Sequence, residues 1–439
     1  MMKRTNVLWN QRIFTLILTM TIVWTLPAAQ AAAAEATGTL EWERALGANL
    51  KLLDVSEYGN GYSVVGLNKS TNFVYMAKLH ADGTVYWEEE LPLIAANGKR
   101  AVPEAAGTTK DGGYIVGATV SGIHYRYSDY YAAKLNAEGR IEWTNEYLSG
   151  SHASFNYIHQ AEDGGYLYLN NTEVYLADYS KTSAGKMDAD GKVQIEKTLA
   201  SGRFTSPYAR QILELKDGSY LVVGGKDQIL YTWRLAEDFS IVDEQEYTEL
   251  STGKAAATAD GGYTLAGVTQ QGYVRLYENS GHQESNVVQL NLTGQVRSLY
   301  ETVGGGYILG TSQGVYQTDS DGNILQAYEV SGLDKAIPTS DGNAVVLVEG
   351  RIIKLGSVQS LQLDSSEYSV NIGQPIDVIV TYFEGAAPLN VTKESSFRTS
   401  DPSIAYVDEE GNLIGVKRGR TMLTVTYNGL EAKATVDVY

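Results

Sequence analysis

Apolar and polar residues alternate along most of this chain in short runs that are separated by glycine-containing turns. Val, Ile and Tyr supply many of the apolar positions, and a period of two residues is typical of half-buried β-strands. One unit recurs: an Asp-Gly-Gly turn, then Tyr, then an apolar run that ends in Gly. The pattern predicts an all-β protein that is built from repeated hairpins.

The repeated unit can be aligned on its turn and its tyrosine. Copies occur at Gly61-Tyr62, Gly113-Tyr114, Gly165-Tyr166, Ser219-Tyr220, Gly262-Tyr263 and Gly306-Tyr307, with a degenerate copy at Asn343-Ala344. The spacing of 37 to 54 residues fits a four-stranded propeller blade, for which roughly 40 to 50 is usual. In the fourth copy we predict strands at 209–216, 220–225, 229–235 and 241–247. Glycines inside the second strands, such as Gly66 and Gly224, predict close backbone approach.

The number of fourth strands predicts how the repeats close. Their pattern starts near residues 39, 85, 141, 193, 241, 287 and 324, which makes seven. The last repeat ends at 351–355 without a fourth strand after it, and the first fourth strand, around Trp42, precedes every repeat. We therefore predict a seven-bladed β-propeller in which the strand around Trp42 completes the last blade and leaves no open sheet edge.

The repeats resemble those of secreted bacterial propellers of the quinoprotein-dehydrogenase-like superfamily, in which an Asp-Gly-Gly-Tyr turn and a Gly-x-x-x-Trp strand alternate. The resemblance covers residues 38–356 and concerns architecture, and the last three repeats depart from it because they lack the Trp. The superfamily name implies a bound quinone. No residue set specific to a quinone is visible in the sequence, so we expect no cofactor.

A different pattern begins after residue 356. Gly373-Gln374-Pro375, the run from Ser400 to Asp408, and Gly411-Asn412-Leu413-Ile414-Gly415-Val416 bring short strands and turn residues over about 80 residues, which suits a small β-sandwich. The string resembles the bacterial Ig-like group 2 family over 357–439. That resemblance implies a spacer or adhesive module of surface and secreted proteins.

The N-terminus has the pattern of a signal peptide. Lys3, Arg4 and Arg12 precede an apolar run over 13–26, and Ala29-Gln30-Ala31 offers a small-residue cleavage site. The run is short for a retained membrane anchor, which needs about 20 apolar residues. We expect a signal peptide at 1–31, no integral membrane span after cleavage, and a secreted, extracellular or cell-wall-associated protein.

Composition narrows the classes of partner. The chain has no cysteine, which excludes disulfides, thiolate metal sites and a lipid-modified cysteine anchor. Cleavage removes three cations and no acid, so the net charge changes from −18 to about −21. An acidic surface disfavours nucleic acid. We expect a monomer whose partner is a cell-wall or extracellular polysaccharide or a surface protein.

Few patterns of catalytic or metal-binding chemistry are present. The five histidines have no zinc-site spacing, and we predict no metal site. Asp188-Ala189-Asp190-Gly191 and the run from Asp319 to Asn323 resemble the start of a calcium loop. Each lacks the downstream Glu, which favours ordinary turn chemistry.

Two groups of residues are candidates for ligand binding. Ten positions before the repeat tyrosine stand Leu52, Glu104, Asn156, Arg210, Gly253, Arg297 and Asp334, near the start of the innermost strand. Their polarity predicts either a binding site or a solvated channel rim. A tyrosine-rich stretch over 124–131 and the following loop around Asn156 form the second group, whose exposed rings suit a sugar or peptide. The candidate residues are Tyr125, Arg126, Tyr127, Asp129, Tyr130, Glu104, Asn156, Tyr157, Arg210, Arg297 and Asp334.

Three functions are compatible with this sequence. The first is an exported binding, adhesion or scaffold protein that binds a ligand on the propeller loop face. The second is a carbohydrate-active or other hydrolytic propeller that uses Glu104 with Asp334 or Asp129 as acid and base, which requires carboxylates roughly 5 to 9.5 Å apart. The third is a structural component of the cell wall. The sequence favours the non-catalytic functions.

Overall fold

A computed structural model describes residues 39–121, 128–174, 179–203, 207–280, 283–302, 305–356, 359–384, 387–408 and 410–439. The predicted signal peptide and the candidates Tyr125, Arg126 and Tyr127 lie outside these ranges. Within them the regular structure is β-strand apart from a 3-10 turn at Thr392–Glu394. The prediction of an all-β protein is confirmed.

The strands of the repeat region are numbered in chain order. They are β1 (Leu40–Ala45), β2 (Leu50–Glu57), β3 (Gly61–Asn68), β4 (Phe73–His80), β5 (Val85–Leu91), β6 (Leu93–Ile94), β7 (Arg100–Thr108), β8 (Tyr114–Ser121), β9 (Ser128–Leu135), β10 (Ile141–Gln160), β11 (Tyr166–Val174), β12 (Tyr179–Met187), β13 (Val193–Arg203), β14 (Tyr208–Glu214), β15 (Tyr220–Lys226), β16 (Ile229–Leu235), β17 (Ile241–Tyr247), β18 (Leu250–Ala257), β19 (Tyr263–Thr269), β20 (Tyr273–Ser280), β21 (Gln283–Thr293), β22 (Val296–Glu301), β23 (Tyr307–Thr311), β24 (Gly314–Thr318), β25 (Ile324–Glu329), β26 (Leu333–Pro338), β27 (Ala344–Val348) and β28 (Arg351–Leu355).

These strands form antiparallel sheets in which chain neighbours pair. Strands β2 to β5, β14 to β17, β18 to β21 and β22 to β25 each make a four-stranded sheet. Strands β6 to β13 make an eight-stranded sheet, because the 20-residue β10 pairs with β9 through its first part and with β11 through its second. The strands that we predict for the fourth repeat agree with β14 to β17 to within two residues at each end.

The remaining sheet joins the two ends of the repeat region. Its order is β1-β28-β27-β26, and Trp42 is the antiparallel partner of Lys354. This is the pairing that the missing last strand predicts. The backbone of β28 therefore has a partner on its outer side, where an unpaired edge would favour aggregation.

The first strands of successive repeats form a ring. Strands β2, β7, β10, β14, β18, β22 and β26 each contact the next in this order, and β26 contacts β2. The ring is closed among the described residues. Because the side chains of a strand point to alternate faces, one set of each first strand packs between neighbouring sheets while another set faces the centre of the ring.

The repeat tyrosine belongs to the cores between neighbouring sheets. The six tyrosines of the aligned copies are each at most 6 % exposed. Tyr114, for example, clusters with Val65 and Met76 of the preceding sheet and with Val116 of its own. Burying an aromatic ring of this size contributes a few kcal/mol to folding, which explains why the tyrosine follows the turn in six of the seven copies.

The tryptophan of the fourth strand contacts the next sheet. The Trp42 indole donates a hydrogen bond to the Ala81 carbonyl at 2.8 Å, and its ring lies edge-on to Tyr62. A Cβ on Gly83, which has a φ of +77°, would lie 2.5 Å from the Trp42 ring. The Trp143 indole likewise donates to Ala189 in the turn between β12 and β13, which belongs to the next repeat. The tryptophan strand and the turn-and-tyrosine unit of the repeated motif thus form the two sides of one contact between neighbouring repeats.

The aspartate of the Asp-Gly-Gly turn pairs with a buried cation of the third strand. Lys134 bonds Asp111 at 2.8 Å, Lys354 bonds Asp341 at 2.7 Å, and the same pairing joins Lys186 to Asp163 and Arg234 to Asp217. The Lys134 and Lys354 side chains are only 4 % and 3 % exposed. A buried ammonium needs such an acceptor because desolvation strongly disfavours its charge.

Two of these turns predict a dependence of stability on pH. Hydrogen bonds from Ser219, with the Arg234 guanidinium, lower the pKa of Asp217 to about 2. Burial would raise the pKa of Asp341, but hydrogen bonds from Lys354 and from its own turn outweigh burial and lower it to about 2. A carboxylate whose folded pKa is depressed stabilises the fold above its unfolded pKa, and this stabilisation is lost as the pH falls through the folded value. We therefore expect the free energy of unfolding in urea to fall between about pH 4 and pH 2. The fall should be smaller in Asp217→Asn, and an equal fall in that variant would contradict this assignment.

The C-terminal strands form three further sheets. They are β29 (Gln359–Leu363), β30 (Glu367–Val370), β31 (Pro375–Asp377), β32 (Val380–Glu384), β33 (Ala387–Asn390), β34 (Ser396–Thr399), β35 (Ala405–Val407), β36 (Asn412–Gly415), β37 (Gly419–Tyr427) and β38 (Leu430–Val438). The sheet orders are β29-β32-β33, β30-β38-β37-β34 and β31-β36-β35, with β30 parallel to β38. One hydrophobic cluster, with fully buried Val380, Leu413 and Val436, lies among these strands.

The described ranges contain no helix with the length and apolar character that crossing a membrane requires.

Candidate functional site

The innermost strands share an irregularity. Within the described residues, the pairing of each first strand with its second strand shifts register, and the shift skips one residue of the first strand. A β-bulge of this kind leaves an extra residue unpaired and re-aims its side chain. The skipped residues are Leu53, Glu104, Asn156, Arg210, Ser251, Arg297 and Asp334.

The bulges explain the glycines of the second strands. Gly66 pairs with Leu52 beside the first bulge, and a Cβ on Gly66 would lie 2.5 Å from the Lys51 carbonyl oxygen. Gly224 pairs with Ala209 beside another bulge, and its Cβ would lie 2.1 Å from the Tyr208 carbonyl oxygen. These are the close backbone approaches that glycine inside a strand predicts.

A cavity of about 250 Å³ lies at the bulges, at the centre of the ring. All seven innermost strands contribute to it. The residue nine positions before the repeat tyrosine faces the cavity in every copy: Leu53, Ala105, Tyr157, Gln211, Lys254, Ser298 and Lys335. A second cavity of about 180 Å³ adjoins it and shares Arg210, Lys254, Arg297 and Asp334.

Most of the aligned candidate residues meet in this cavity. Its lining includes Glu104, Asn156, Tyr157, Arg210, Arg297 and Asp334, which the sequence spreads over 230 positions. Two aligned positions differ. Leu52 is 1 % exposed and belongs to the core between sheets, and Gly253 lines only the adjoining cavity.

The described part of the tyrosine-rich stretch lies elsewhere. Tyr130 is 8 % exposed, its hydroxyl donates to the Asn171 carbonyl at 2.9 Å, and its ring packs edge-on against Phe155. It is therefore a core residue and not the exposed ring that the sequence suggests. Asp129 accepts a hydrogen bond from the Ser149 amide at 3.0 Å and is not part of the cavity lining. Tyr125, Arg126 and Tyr127 fall outside the described residues.

An ion pair joins the first and last innermost strands inside the cavity. The Lys335 ammonium lies 2.5 Å from Asp54 Oδ1, and Asp54 Oδ2 accepts hydrogen bonds from the Thr108 amide and hydroxyl at 2.8 and 3.0 Å. Burial disfavours the charge of Lys335, but the Asp54 carboxylate outweighs burial and raises the pKa of Lys335 well above its ordinary value. Lys335 is thus protonated at any physiological pH.

A histidine lies beside this ion pair. Burial, reinforced by the Lys335 ammonium, lowers the pKa of His159 to about 4. The imidazole is therefore neutral at pH 7. Its ring packs edge-on against Tyr157, and among the described residues its buried Nδ1 has no hydrogen-bond partner.

The other cavity carboxylates are also hydrogen-bonded. Glu104 accepts from the Thr119 hydroxyl at 3.0 Å and from the Phe155 amide at 2.7 Å, and burial raises the pKa of Glu104. Asp334 accepts from the Glu349 amide at 3.3 Å, and burial raises its pKa as well. Glu104 thereby links the second repeat to the start of the third.

Several cavity residues have no counterpart in the sequence prediction: Lys51, Asp54, His159, Lys254, Tyr300 and Lys335. Strict alternation places only every second residue on one face, and the bulge breaks that rule. Lys335 directly follows the aligned Asp334, and both residues face the cavity. Lys254 directly follows the aligned Gly253, and of these two only Lys254 lines the larger cavity. A glycine paired beside the bulge, as at Gly66, Gly117, Gly224 and Gly310, was the available signal for this change in four of the seven repeats.

The two calcium-like loops are hydrogen-bonded turns. Asp188 Oδ1 accepts from the Asp190 and Lys192 amides at 3.0 and 2.8 Å. Asp319 Oδ1 makes the same pair of bonds with the amides two and four residues ahead. This is the turn chemistry that the sequence favours. No group of three or more potential metal ligands occurs in the described ranges.

Comparison with known proteins gives limited sequence similarity. No family model matches the chain. An S-layer-related protein of Niallia circulans is 30 % identical over 82 residues, which is 19 % of this chain and 5 % of that protein. The chain thus spans about one twentieth of the length of this relative.

Solved structures with similar folds include several propellers. BamB from Moraxella catarrhalis aligns with 73 % of this chain and 99 % of its own, at 11 % identity and a TM-score of 0.42. The Pan2 WD40 domain of Neurospora crassa aligns with 73 % of this chain and 96 % of its own, at 8 % identity and a TM-score of 0.48. The Dos1 propeller aligns with 92 % and 96 %, at 11 % identity and a TM-score of 0.46.

Proposed function

We propose that this chain is an exported, surface-associated binding protein whose ligand enters the cavity at the centre of the ring of innermost strands. The observation that carries the proposal is that all seven innermost strands contribute to one cavity of about 250 Å³, six of them through a bulged, mostly polar residue and β18 through Lys254. A concave site with a few convergent polar groups is the usual form of a ligand pocket. Bulges are frequent next to functional sites because they re-aim side chains.

The proposal also covers the number of propeller blades and the type of the C-terminal domain. The ring is a seven-bladed propeller of the kind that the Asp-Gly-Gly-Tyr repeats resemble, and residues 357–439 are a separate Ig-like domain of the bacterial group 2 kind. Two observations support this division. The seven innermost strands contact one another in a closed cycle, and the core of the C-terminal sheets draws its buried residues only from 361–438.

The hydrogen bonds of two cavity carboxylates, Glu104 and Asp54, favour binding over hydrolysis. Glu104 is held by Thr119 and Phe155, and Asp54 is held by Thr108 and Lys335. A carboxylate whose oxygens are both engaged in this way braces neighbouring strands. A general acid or base needs one oxygen directed at its substrate.

A surface location is supported by two features of the chain. The sequence begins with the pattern of a signal peptide, and a short stretch is similar to a protein described as S-layer-related. Surface retention through the C-terminal Ig-like domain and display of the propeller would follow from this arrangement. The partners that suit it are cell-wall or extracellular polysaccharides.

A glycan and peptidoglycan-fragment array probed with the processed protein tests the binding function. We expect signals on a class of saccharide, and we expect Asn156→Trp to abolish them because Asn156 lines the cavity and an indole there would take up volume that the ligand needs. Tyr86→Ala is the matched control, since Tyr86 is 57 % exposed on an outer strand. Thermal unfolding verifies that each variant is folded.

Two results would contradict the proposal. One is an array without signals, and the other is a set of signals that Asn156→Trp leaves unchanged. Signals that Asn156→Trp retains and that Tyr125→Ala/Tyr127→Ala loses would place binding at the tyrosine-rich stretch instead of the ring.

A further inference from the structure

The charge of the ring cavity is opposite to that of the protein. The whole chain has a net charge of −18. The cavity lining contains the cations Lys51, Arg210, Lys254, Arg297 and Lys335 and the carboxylates Asp54, Glu104 and Asp334. A cavity wall of low dielectric focuses the field of such charges. The cavity is therefore a positive site within an acidic protein.

Four of the cations have no carboxylate at ion-pair distance within the described part of the chain, although the charges of Lys51 and Arg297 act on Asp334 and oppose the rise of its pKa. Lys335 is neutralised by Asp54 at 2.5 Å. Among the described residues, no carboxylate lies within 4.0 Å of the charged atoms of the other four, Lys51, Arg210, Lys254 and Arg297. Arg210 lies over the Tyr208 ring at 4.9 Å, and the Lys254 ammonium donates to the Arg210 carbonyl at 3.3 Å. These contacts orient the two cations without compensating their charge.

The pKa of Lys254 reports the resulting potential. Burial, together with the charges of Lys335, Arg210 and Arg297, lowers the pKa of Lys254 to about 8. Arg210 and Arg297 come from β14 and β22, the strands adjacent to β18, and Lys335 comes from β26. Asp334 of β26 is the carboxylate that shares the smaller cavity with Lys254. A lysine whose pKa is lowered by neighbouring cations lies in a positive potential, and a bound anion would relieve the repulsion among these cations.

Arg210 and Arg297 have a geometry that suits one class of ligand. Each stands on a bulge and lines both cavities. A guanidinium matches the two oxygens of a carboxylate or phosphate and is less strongly hydrated than an ammonium. Asn156 and Tyr157 lie in the same lining and can exchange hydrogen bonds with hydroxyls.

We propose that the ring cavity binds a small organic oxyanion, a carboxylate or phosphate on a body of about one sugar, held by Arg210 and Arg297. This inference rests on the proposed function, because it takes the ring cavity as the binding site. It adds the charge class of the ligand, which the array does not assume.

Calorimetric titration with matched sugars tests this inference. The probes are D-glucuronate and D-glucose 6-phosphate, with D-glucose as the neutral control and inorganic phosphate as the anion without a sugar. We expect at least one charged sugar to bind about tenfold or more tightly than glucose. The two charged probes distinguish a carboxylate ligand from a phosphate ligand, and phosphate alone shows how much of the affinity the sugar supplies.

Variants then locate the binding. Arg210→Gln/Arg297→Gln should weaken binding of the charged sugar by about tenfold or more, because both cations are removed. Arg398→Gln, which removes an exposed cation of β34 in the C-terminal sheets, should leave binding unchanged. Equal affinity for glucose and the charged sugars, an unchanged affinity in the double variant, or no binding of any probe at millimolar concentration would overturn the inference.

The pH dependence of the affinity separates the effect of the Lys254 charge from a structural effect of the substitutions. Glucuronate keeps its charge above pH 6, whereas Lys254 loses its proton near its pKa of about 8. Affinity for glucuronate should therefore fall several-fold between pH 7 and pH 9, and Lys254→Met should remove that fall. A pH-independent affinity in the unmodified protein would contradict the role of Lys254. If the array shows neutral glycans whose signals are lost in Asn156→Trp, the inference of an anionic ligand is wrong and the proposed function stands. If the array and the titration are both negative, both are wrong.

Discussion

Asp341→Ala is expected to lower the free energy of unfolding by about 3 kcal/mol. Lys354, which is 3 % exposed, donates to Thr339 and to both oxygens of Asp341, so the substitution leaves a buried ammonium with one hydroxyl acceptor. It also removes the bonds that Asp341 accepts from the Thr339 hydroxyl and the Asn343 amide. Urea unfolding followed by circular dichroism measures the loss.

The partner variant distinguishes a buried charge from lost turn bonds. Lys354→Met in the Asp341→Ala background should restore about 2 kcal/mol, because a thioether of similar volume needs no acceptor. Asp319→Ala is the matched control, since Asp319 caps its turn through two amides without an ion pair among the described residues. It should cost about 1 kcal/mol. A double variant no more stable than Asp341→Ala would contradict the explanation.

Trp42→Ala is expected to lower the free energy of unfolding by about 3 kcal/mol, although Trp42 lies only a few residues from the start of the described chain. Its ring packs against Tyr62 at a centroid distance of 5.7 Å and against Gly83, and its indole donates to Ala81. These contacts join the last sheet to the first. Their loss therefore weakens the closure of the ring as well as one core.

The control for Trp42 lies on the same strand. Leu40 is 55 % exposed and pairs with Leu355 only through its backbone register. Leu40→Ala should change the free energy of unfolding by less than about 0.5 kcal/mol. If the two variants were equally stable, the side-chain contacts of β1 would not contribute to closure.

Much of the fold follows from patterns that the sequence displays directly. Tyr114 and its equivalents mark the second strand of each repeat, and the unmatched strand around Trp42 predicts the pairing with β28. These features depend on local chemistry: turn residues that need positive φ, and rings that need burial. The turns and the buried rings recur from repeat to repeat, so each copy strengthens the prediction made from the others.

The site was only partly predictable because each bulge breaks the two-residue alternation of its strand. Alignment on the repeat tyrosine identifies Glu104, Arg297 and Asp334, which are the bulged residues themselves. It misses Lys254 and Lys335, since strict alternation would turn them away from the cavity. The ion pair of Lys335 with Asp54 joins residues 281 positions apart, a distance over which sequence spacing carries no information.

The number of tyrosines in the chain explains why the sequence predicts an exposed Tyr130 whereas the structure shows a buried one. The chain contains 31, and most of the repeat tyrosines are buried between sheets. Tyr130 follows that majority: its hydroxyl is satisfied by the backbone of the next repeat. A cluster of tyrosines in the sequence is thus a poor indicator of an exposed aromatic surface in this fold.

An engineered disulfide between β1 and β28 tests whether the two ends of the repeat region close the ring. Ala45 and Arg351 are antiparallel partners on β1 and β28, and the chain has no other cysteine to compete. In Ala45→Cys/Arg351→Cys we expect complete formation of an intramolecular disulfide in the native protein and an increase in stability of about 4 kcal/mol. Ala45→Cys/Lys216→Cys, which places the second cysteine beside another sheet, should keep both thiols free. Native thiols that stay free in the first variant, or that react only between molecules, would contradict the closed ring.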